Sequence, residues 1–201
     1  MERHRPSDGS FDFSSLPVVG RRESQTTLLS GLQAALDGKG ETFLLRGGRG
    51  TGKSHLCRHL LTEAERRGFV VAAGRAYRAE SGVPYSLFSD AFLPLLRDLP
   101  AETLTVLSRG GASELEHLFP GLTSVSGPTT TPDSESPDER RTRVLWTFVG
   151  VLKGLAERDP LCIVLEDLQW ADPSSLEAIH FLARNLAGSS ALLCVTLDKR
   201  A

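Results

Sequence analysis

Disulfide chemistry is the first thing this sequence has little material for. Its three cysteines, Cys57, Cys162 and Cys194, are scattered and odd in number, which argues against a disulfide framework. No apolar run approaches the roughly 18 to 20 residues of a membrane-spanning helix. The opening MERHRPSDGSFDF has no apolar stretch of the kind that makes a secretory signal. Neither sign of charge dominates: 23 Lys and Arg face 25 Asp and Glu, for a formal charge of −2. No domain-wide basic field therefore exists to hold nucleic acid by charge alone. These absences predict a cytoplasmic protein with no membrane contact and no direct nucleic-acid binding by this chain. What is present is ordinary core-forming material, 40% apolar residues and 19 glycines in 201 positions, enough for one packed domain.

Hydrophobic spacing predicts the elements. Residues 1–16 are polar and mixed and read as a flexible N-terminal arm, leaving 17–201 as the folded domain. Leu28, Leu29, Leu32, Ala35 and Leu36 recur at helical spacing, ending near Gly38. ETFLLRG reads as a short buried strand, and Lys53 to Arg67 as a helix with Leu56, Cys57, Leu60, Leu61 and Ala64 on one side. Gly68 stops that helix and FVVAAG supplies a second strand. SLFSDAFLPLLRDL (86–99) is an apolar-faced helix that Pro94 is expected to kink or split. The stretch 123–139 is rich in Ser, Thr and Pro with a single Val, and reads as a mobile insert. A helix follows from about Arg140 to Arg158. LCIVLED is apolar along its length, as a parallel strand covered on both faces must be. Asp172-Pro173 opens a helix to about Ala187, and ALLCVT is a fourth strand. Strands alternating with helices predict a three-layer α/β fold with a mainly parallel sheet.

The strongest motif is Gly47-Gly48-Arg49-Gly50-Thr51-Gly52-Lys53-Ser54, with His55 next on the helix. It satisfies G-x-x-x-x-G-K-[ST]. Glycines let successive backbone N–H groups converge on phosphate oxygens with no Cβ in the way. The helix starting at Lys53 points the positive end of its dipole at the same place. Lys53 brings a point charge to the β- and γ-phosphates, and the Ser54 hydroxyl is a ligand for Mg²⁺. An apolar strand before the motif and an amphipathic helix after it supply the required context.

A hydroxyl on a metal calls for a carboxylate at the tip of a neighbouring strand. Cys162-Ile163-Val164-Leu165-Glu166-Asp167 provides two. By position Glu166 takes the metal, through water, and Asp167 orients the attacking water. With Lys53 these two acids are the candidate catalytic residues. The plainer reading is a strand leaving the core through polar residues.

With both motifs placed, VVGRRESQTTL, GGRGTGKS, GVPYSLFSDAFLPLL and IVLEDLQWADPSSLEAIHFLAR together resemble the ATPase module of the STAND and AAA-type signalling ATPases. More narrowly, they resemble the nucleotide-binding domain of large ATP-binding LuxR-type bacterial regulators, over roughly Pro17 to Thr196. The resemblance implies a P-loop NTPase of the additional-strand type, loaded with ATP or ADP and Mg²⁺, acting as a regulatory switch through self-association or contact with other domains. It implies that Val19, Gly20 and Arg21 lie near the adenine, a stretch that also reads as a helix-start turn. Thr196 is implied as a polar sensor of the γ-phosphate. Asp198 stands where the family has an arginine, so no sensor arginine is assigned. The family's fifth strand, helical lid and DNA-binding segment are not in this sequence.

Other signals read more plainly. His55, His59 and Glu63 share helical spacing but flank an apolar stripe; a metal site there is the weaker reading. Trp170 packs its loop and Asp172 caps a helix. The cysteines are core fillers, and Arg140, Arg141 and Arg143 form a solvated face. These readings point to an ATP-binding, slowly hydrolysing switch, with a non-hydrolysing interaction module and, further off, a small-molecule kinase as rivals.

Overall fold

The apolar run at 161–165 becomes the centre of the sheet. The computed structural model describes residues 21–122 and 136–199; the expected arm over 1–16, Val19, Gly20 and most of the 123–139 insert lie outside them. Four strands, β1 (Thr42–Gly47), β2 (Val70–Arg75), β3 (Leu161–Glu166) and β4 (Ala191–Asp198), lie in the order β1-β4-β3-β2. Every neighbouring pair is parallel. Parallel neighbours need crossover helices, and those helices cover both faces. The mainly parallel three-layer α/β expectation holds.

Alternation along β3 and β4 assigns the two faces. Leu161, Ile163, Leu165, Ala191, Leu193 and Val195 enter the larger core. Cys162, Val164, Leu192 and Cys194 enter the smaller one. Helices α1 (Arg22–Leu36) and α2 (Lys53–Arg66) close the smaller core; α3 (Ser86–Arg97), α4 (Ala101–Leu107), α5 (Pro137–Ala156) and α6 (Pro173–Asn185) close the larger. Gly68 ends α2 as expected. At φ 80° it lets Phe69 N–H reach the Ala64 carbonyl at 3.0 Å and its own N–H reach Glu65 O at 3.0 Å, satisfying carbonyls the helix leaves free.

Three expectations need correction. The strand at Thr42–Gly47 was expected to be buried, yet its residues alternate between exposed and half-buried, because among the described residues it pairs only with β4. Of the two outcomes expected at Pro94, splitting does not occur: α3 runs on to Arg97 with the proline inside it; Leu87, Phe88, Ala91, Phe92 and Leu96, buried on its inner face, offset the lost backbone hydrogen bond. The insert does not extend to 139, because α5 begins at Pro137. Ser136 Oγ accepts from Glu139 N–H at 3.3 Å while the Glu139 carboxylate accepts from Ser136 N–H at 2.9 Å. That reciprocal pair is a capping box.

Gly74 sets the distance between β2 and α3. A Cβ there would stand 2.8 Å from the Ala91 nitrogen and 2.9 Å from the Leu87 carbonyl. Only a glycine lets the helix backbone come that close to the strand.

Candidate functional site

Because the strands are parallel, their C-terminal ends emerge along one edge. Gly47 lies beside Asp198, and Arg75 beside Glu166, in register. Ligands of open α/β sheets bind at this edge. The chain leaves β1 at Gly47, turns through Gly48–Gly52, and enters α2 at Lys53. Gly50 and Gly52 have φ of 73° and 80°, a region that side chains disfavour. Gly47 has no room for a Cβ, which would lie 2.9 Å from Thr51 Oγ1. The Thr51 hydroxyl donates to Gly48 O at 2.8 Å, and Lys53 Nζ donates to Gly47 O at 2.7 Å and Gly48 O at 3.1 Å. Lys53 is thus folded back over its own loop and only 9% exposed. Arg49, at the exposed tip, pairs with Asp198 at 3.7 Å, and Lys199 N–H donates to Gly47 O at 3.2 Å.

Opposite the loop, one guanidinium draws three elements together. Arg75, the last residue of β2, donates from Nη2 to Ser54 Oγ at 3.0 Å and to Glu166 Oε2 at 3.1 Å. Its Nε lies 3.4 Å from Asp167 Oδ2. Its backbone N–H donates to Asp90 Oδ2 on α3 at 2.8 Å, a contact that Gly74 makes possible by admitting α3. Burial works to lower the Arg75 pKa, but the charge and hydrogen bond of Glu166, with Asp167 and Tyr77 adding, carry it above its ordinary value. The guanidinium stays charged throughout. Ser54 and Glu166, 112 positions apart by number, are thereby held on either side of one nitrogen.

Asp167 adopts a left-handed conformation, φ 61° and ψ 44°, which aspartate tolerates better than most residues at some cost in strain. The buried Thr196 hydroxyl accepts its backbone N–H at 2.9 Å. Gln169 donates to Asp167 Oδ1 at 3.2 Å and accepts from Asp198 N–H at 3.0 Å. Thr196 and Gln169 therefore fix the turn that aims Asp167.

The other sequence-predicted residues fall as follows. The Arg21 guanidinium reaches the start of the loop, its Nη2 3.9 Å from where a Gly47 Cβ would stand. His55 is half-buried on the first turn of α2. His59 meets Gln25 of α1 at 2.5 Å, and Glu63 pairs with Arg66 and Arg67; among the described residues no cluster of His, Cys, Asp and Glu is arranged for a metal. Asp172 caps α6, accepting from Ser175 N–H at 2.9 Å and from its hydroxyl at 2.5 Å. Trp170 packs under the Arg78 guanidinium, 5.3 Å from ring to charge, a cation–π contact. Arg141 pairs with Glu177, and Arg143 with Glu114 at 3.3 Å. All three cysteines are buried and free. Burial first, then the charge of Cys57, pushes the Cys162 thiol up to about 12. The hydrogen bond with Cys194, then burial, pushes Cys57 up as well.

Arg75, Asp90 and Gln169 were missed by sequence reasoning. A signal for Arg75 was present: it closes an apolar strand just as Glu166 does.

The residues present fit a nucleotide and a divalent cation. Hydroxyl and carboxylate oxygens suit a hard ion such as Mg²⁺, and Ser54 and Glu166 present one of each to a shared cationic nitrogen. The loop holds glycine at Gly47, where a Cβ would crowd Thr51, and at Gly50 and Gly52, where φ is positive.

A 26% identical match over 199 residues, covering 90% of this chain, is an uncharacterized protein of Rhizobium meliloti (strain 1021); the chain spans only 18% of that relative's length. A solved structure of the Aeropyrum pernix ORC2 protein, in ADPNP–ADP complexes, matches 92% of this chain and 43% of its own at 16% identity and a TM-score of 0.45. No helix among the described residues is long and apolar enough to cross a membrane. The AAA ATPase domain family matches residues 17–195, nearly the whole chain, and this chain, with its all-parallel sheet and glycine loop, belongs to that family of nucleotide-binding domains.

Proposed function

We propose that this chain is an ATP-binding, slowly hydrolysing switch domain of a larger cytoplasmic signalling or transcription-regulating protein, of the STAND and LuxR-type kind. The observation that carries the reading is the convergence of Ser54 and Glu166 on one nitrogen beside the glycine loop. In this reading the amides of Gly48 to Ser54 and the Lys53 ammonium take the β- and γ-phosphates of ATP or ADP. Lys53 exchanges the Gly47 and Gly48 carbonyls for phosphate oxygens. Val19, Gly20 and Arg21 lie toward the adenine, and His55 supports the loop from α2. Ser54 and Glu166 hold Mg²⁺, Glu166 through water; the ion neutralises phosphate charge. Asp167 orients the water that attacks the γ-phosphate, held in place by Thr196 and Gln169. Self-association or contact with other domains supplies the arginine that speeds turnover, so turnover by the isolated domain is slow.

Calorimetry with Mg·ATP and a phosphate-release assay test this. Wild type binds and releases phosphate slowly, Lys53→Ala does not bind, and Asp167→Asn binds without release. Binding that survives Lys53→Ala rejects the site. One observation favours the non-hydrolysing module instead: both Asp167 carboxylate oxygens are already engaged, by Arg75 and Gln169. Wild-type binding with no phosphate release would establish that reading.

A further inference from the structure

Arg75 bonds the very oxygens that the reading above gives to the metal. Nη2 spends one hydrogen on Ser54 Oγ and one on Glu166 Oε2, at 3.0 and 3.1 Å. Mg²⁺ binds its oxygen ligands at about 2.0–2.1 Å and keeps several waters around it. Whether Glu166 meets the ion directly or through water, that coordination shell and the guanidinium claim the same space. Two cations in that space would also repel each other at short range. The geometry points to Arg75 as a resident counter-ion that competes with the divalent metal for Ser54 and Glu166, and that must swing away before the metal–nucleotide complex is seated.

The surroundings suit a side chain that turns while its backbone stays. Asp90 holds the Arg75 N–H at 2.8 Å and Gly74 keeps α3 close, so the strand end is anchored from the far side of the sheet. The Arg75 side chain is 39% exposed, which leaves it a route to solvent. Its Nε contact to Asp167 at 3.4 Å couples the same movement to the acid assigned to the attacking water: release of Arg75 frees Glu166 and one oxygen of Asp167 together. Metal loading and the freeing of Asp167 are then one event.

This inference rests on the assignment of Ser54 and Glu166 to the metal, and its test separates the two. Binding of a fluorescent ADP analogue is measured against free Mg²⁺ for wild type, Arg75→Ala and Arg75→Lys. Removing a charge-assisted hydrogen-bond partner at a partly exposed site should lower the half-saturating Mg²⁺ about tenfold. Arg75→Lys, which keeps the charge but has a shorter reach, should fall between. The melting temperature without nucleotide and metal should drop in Arg75→Ala, because Glu166 and Asp167 lose their shared cation. An Arg75→Gln variant gives the same readout should Arg75→Ala fail to fold. If wild type shows no Mg²⁺-dependent nucleotide binding, the metal assignment itself is wrong. If wild type binds and the Arg75 variants keep its half-saturating Mg²⁺, or need more, the competition is overturned and the assignment of Ser54 and Glu166 stands.

Discussion

The two faces of the sheet are built from different material. Under α3 to α6, Phe88, Phe92, Phe119 and Phe148 are fully buried and packed edge to face, with Phe92–Phe148 and Phe119–Phe148 centroids 4.9 and 5.0 Å apart. Under α1 and α2 the buried set is leucines, alanines, Phe69, Val164 and the three cysteines. The glycine loop and Lys53 hang from the lighter face, where the Arg75 side chain meets Ser54 of α2, while Asp90 of α3 holds the Arg75 backbone N–H from the heavier one. The lesson is a division of labour. Aromatic bulk secures one face, while the loop helix rests on leucines, alanines and buried thiols.

The sharpest way to break that comparison is Phe148→Ala. A wholly buried ring in contact with three others leaves a cavity, and the expected loss is about 3–5 kcal/mol of unfolding free energy. Denaturant unfolding measures it. A loss no greater than that of a single-atom deletion on the lighter face would erase the distinction.

Glycine substitutions come next, because each face has one at a close approach. In Gly74→Ala the new Cβ meets the α3 backbone at Ala91 and Leu87, which cannot move without shifting the helix; about 2–3 kcal/mol is expected. In Gly31→Ala it meets the Phe43 ring and Leu192, side chains that can turn aside, so about 1 kcal/mol is expected. Equal losses would mean the lighter face is as rigid as the heavier one.

Much of this arrangement was legible beforehand, for identifiable reasons. The apolar run 161–165 announced a doubly covered strand because period-two alternation vanishes when both faces are buried. Gly47 to Ser54 announced the loop because each residue type there has a local task. Edge strand β1 was misjudged because its exposure depends on which strands flank it. The Ser136–Glu139 capping box was overlooked inside a Ser- and Pro-rich stretch, though S-x-x-E was there to read. Arg75 was legible only as the polar end of an apolar strand; that it meets Glu166 depends on β2 lying next to β3 in register, and sheet order is not written in the spacing of either strand.

The cysteines give a smaller and more local effect. Deleting one buried heavy atom in Cys194→Ala should cost about 1 kcal/mol, a third or less of the Phe148 effect. The thiols of Cys57 and Cys162 are held above their ordinary pKa and buried. At pH 8 they should therefore resist alkylation and react only as the protein unfolds. Labelling of the native protein at the rate of a free thiol would show that the lighter face opens on its own.

The smallest effect tests whether the heavier face depends on how α5 begins. Glu139 accepts from the Ser136 backbone N–H and hydroxyl, and these bonds hold its carboxyl below the usual carboxylate range. A lowered folded-state pKa means that the capping contribution is complete above the unfolded-state value and is lost as pH falls through the folded one. Acidification should fray the first turn of α5, seen as a small loss of helical circular dichroism, and Glu139→Gln should shift where that loss occurs. The aromatic near-ultraviolet signal should not follow, because Phe148 and Val144 are secured by the core two and more turns further along. Were the ring signal to fade together with the cap, the heavier face would owe its order to the helix start, and the aromatic cluster would be a consequence of that start instead of its anchor.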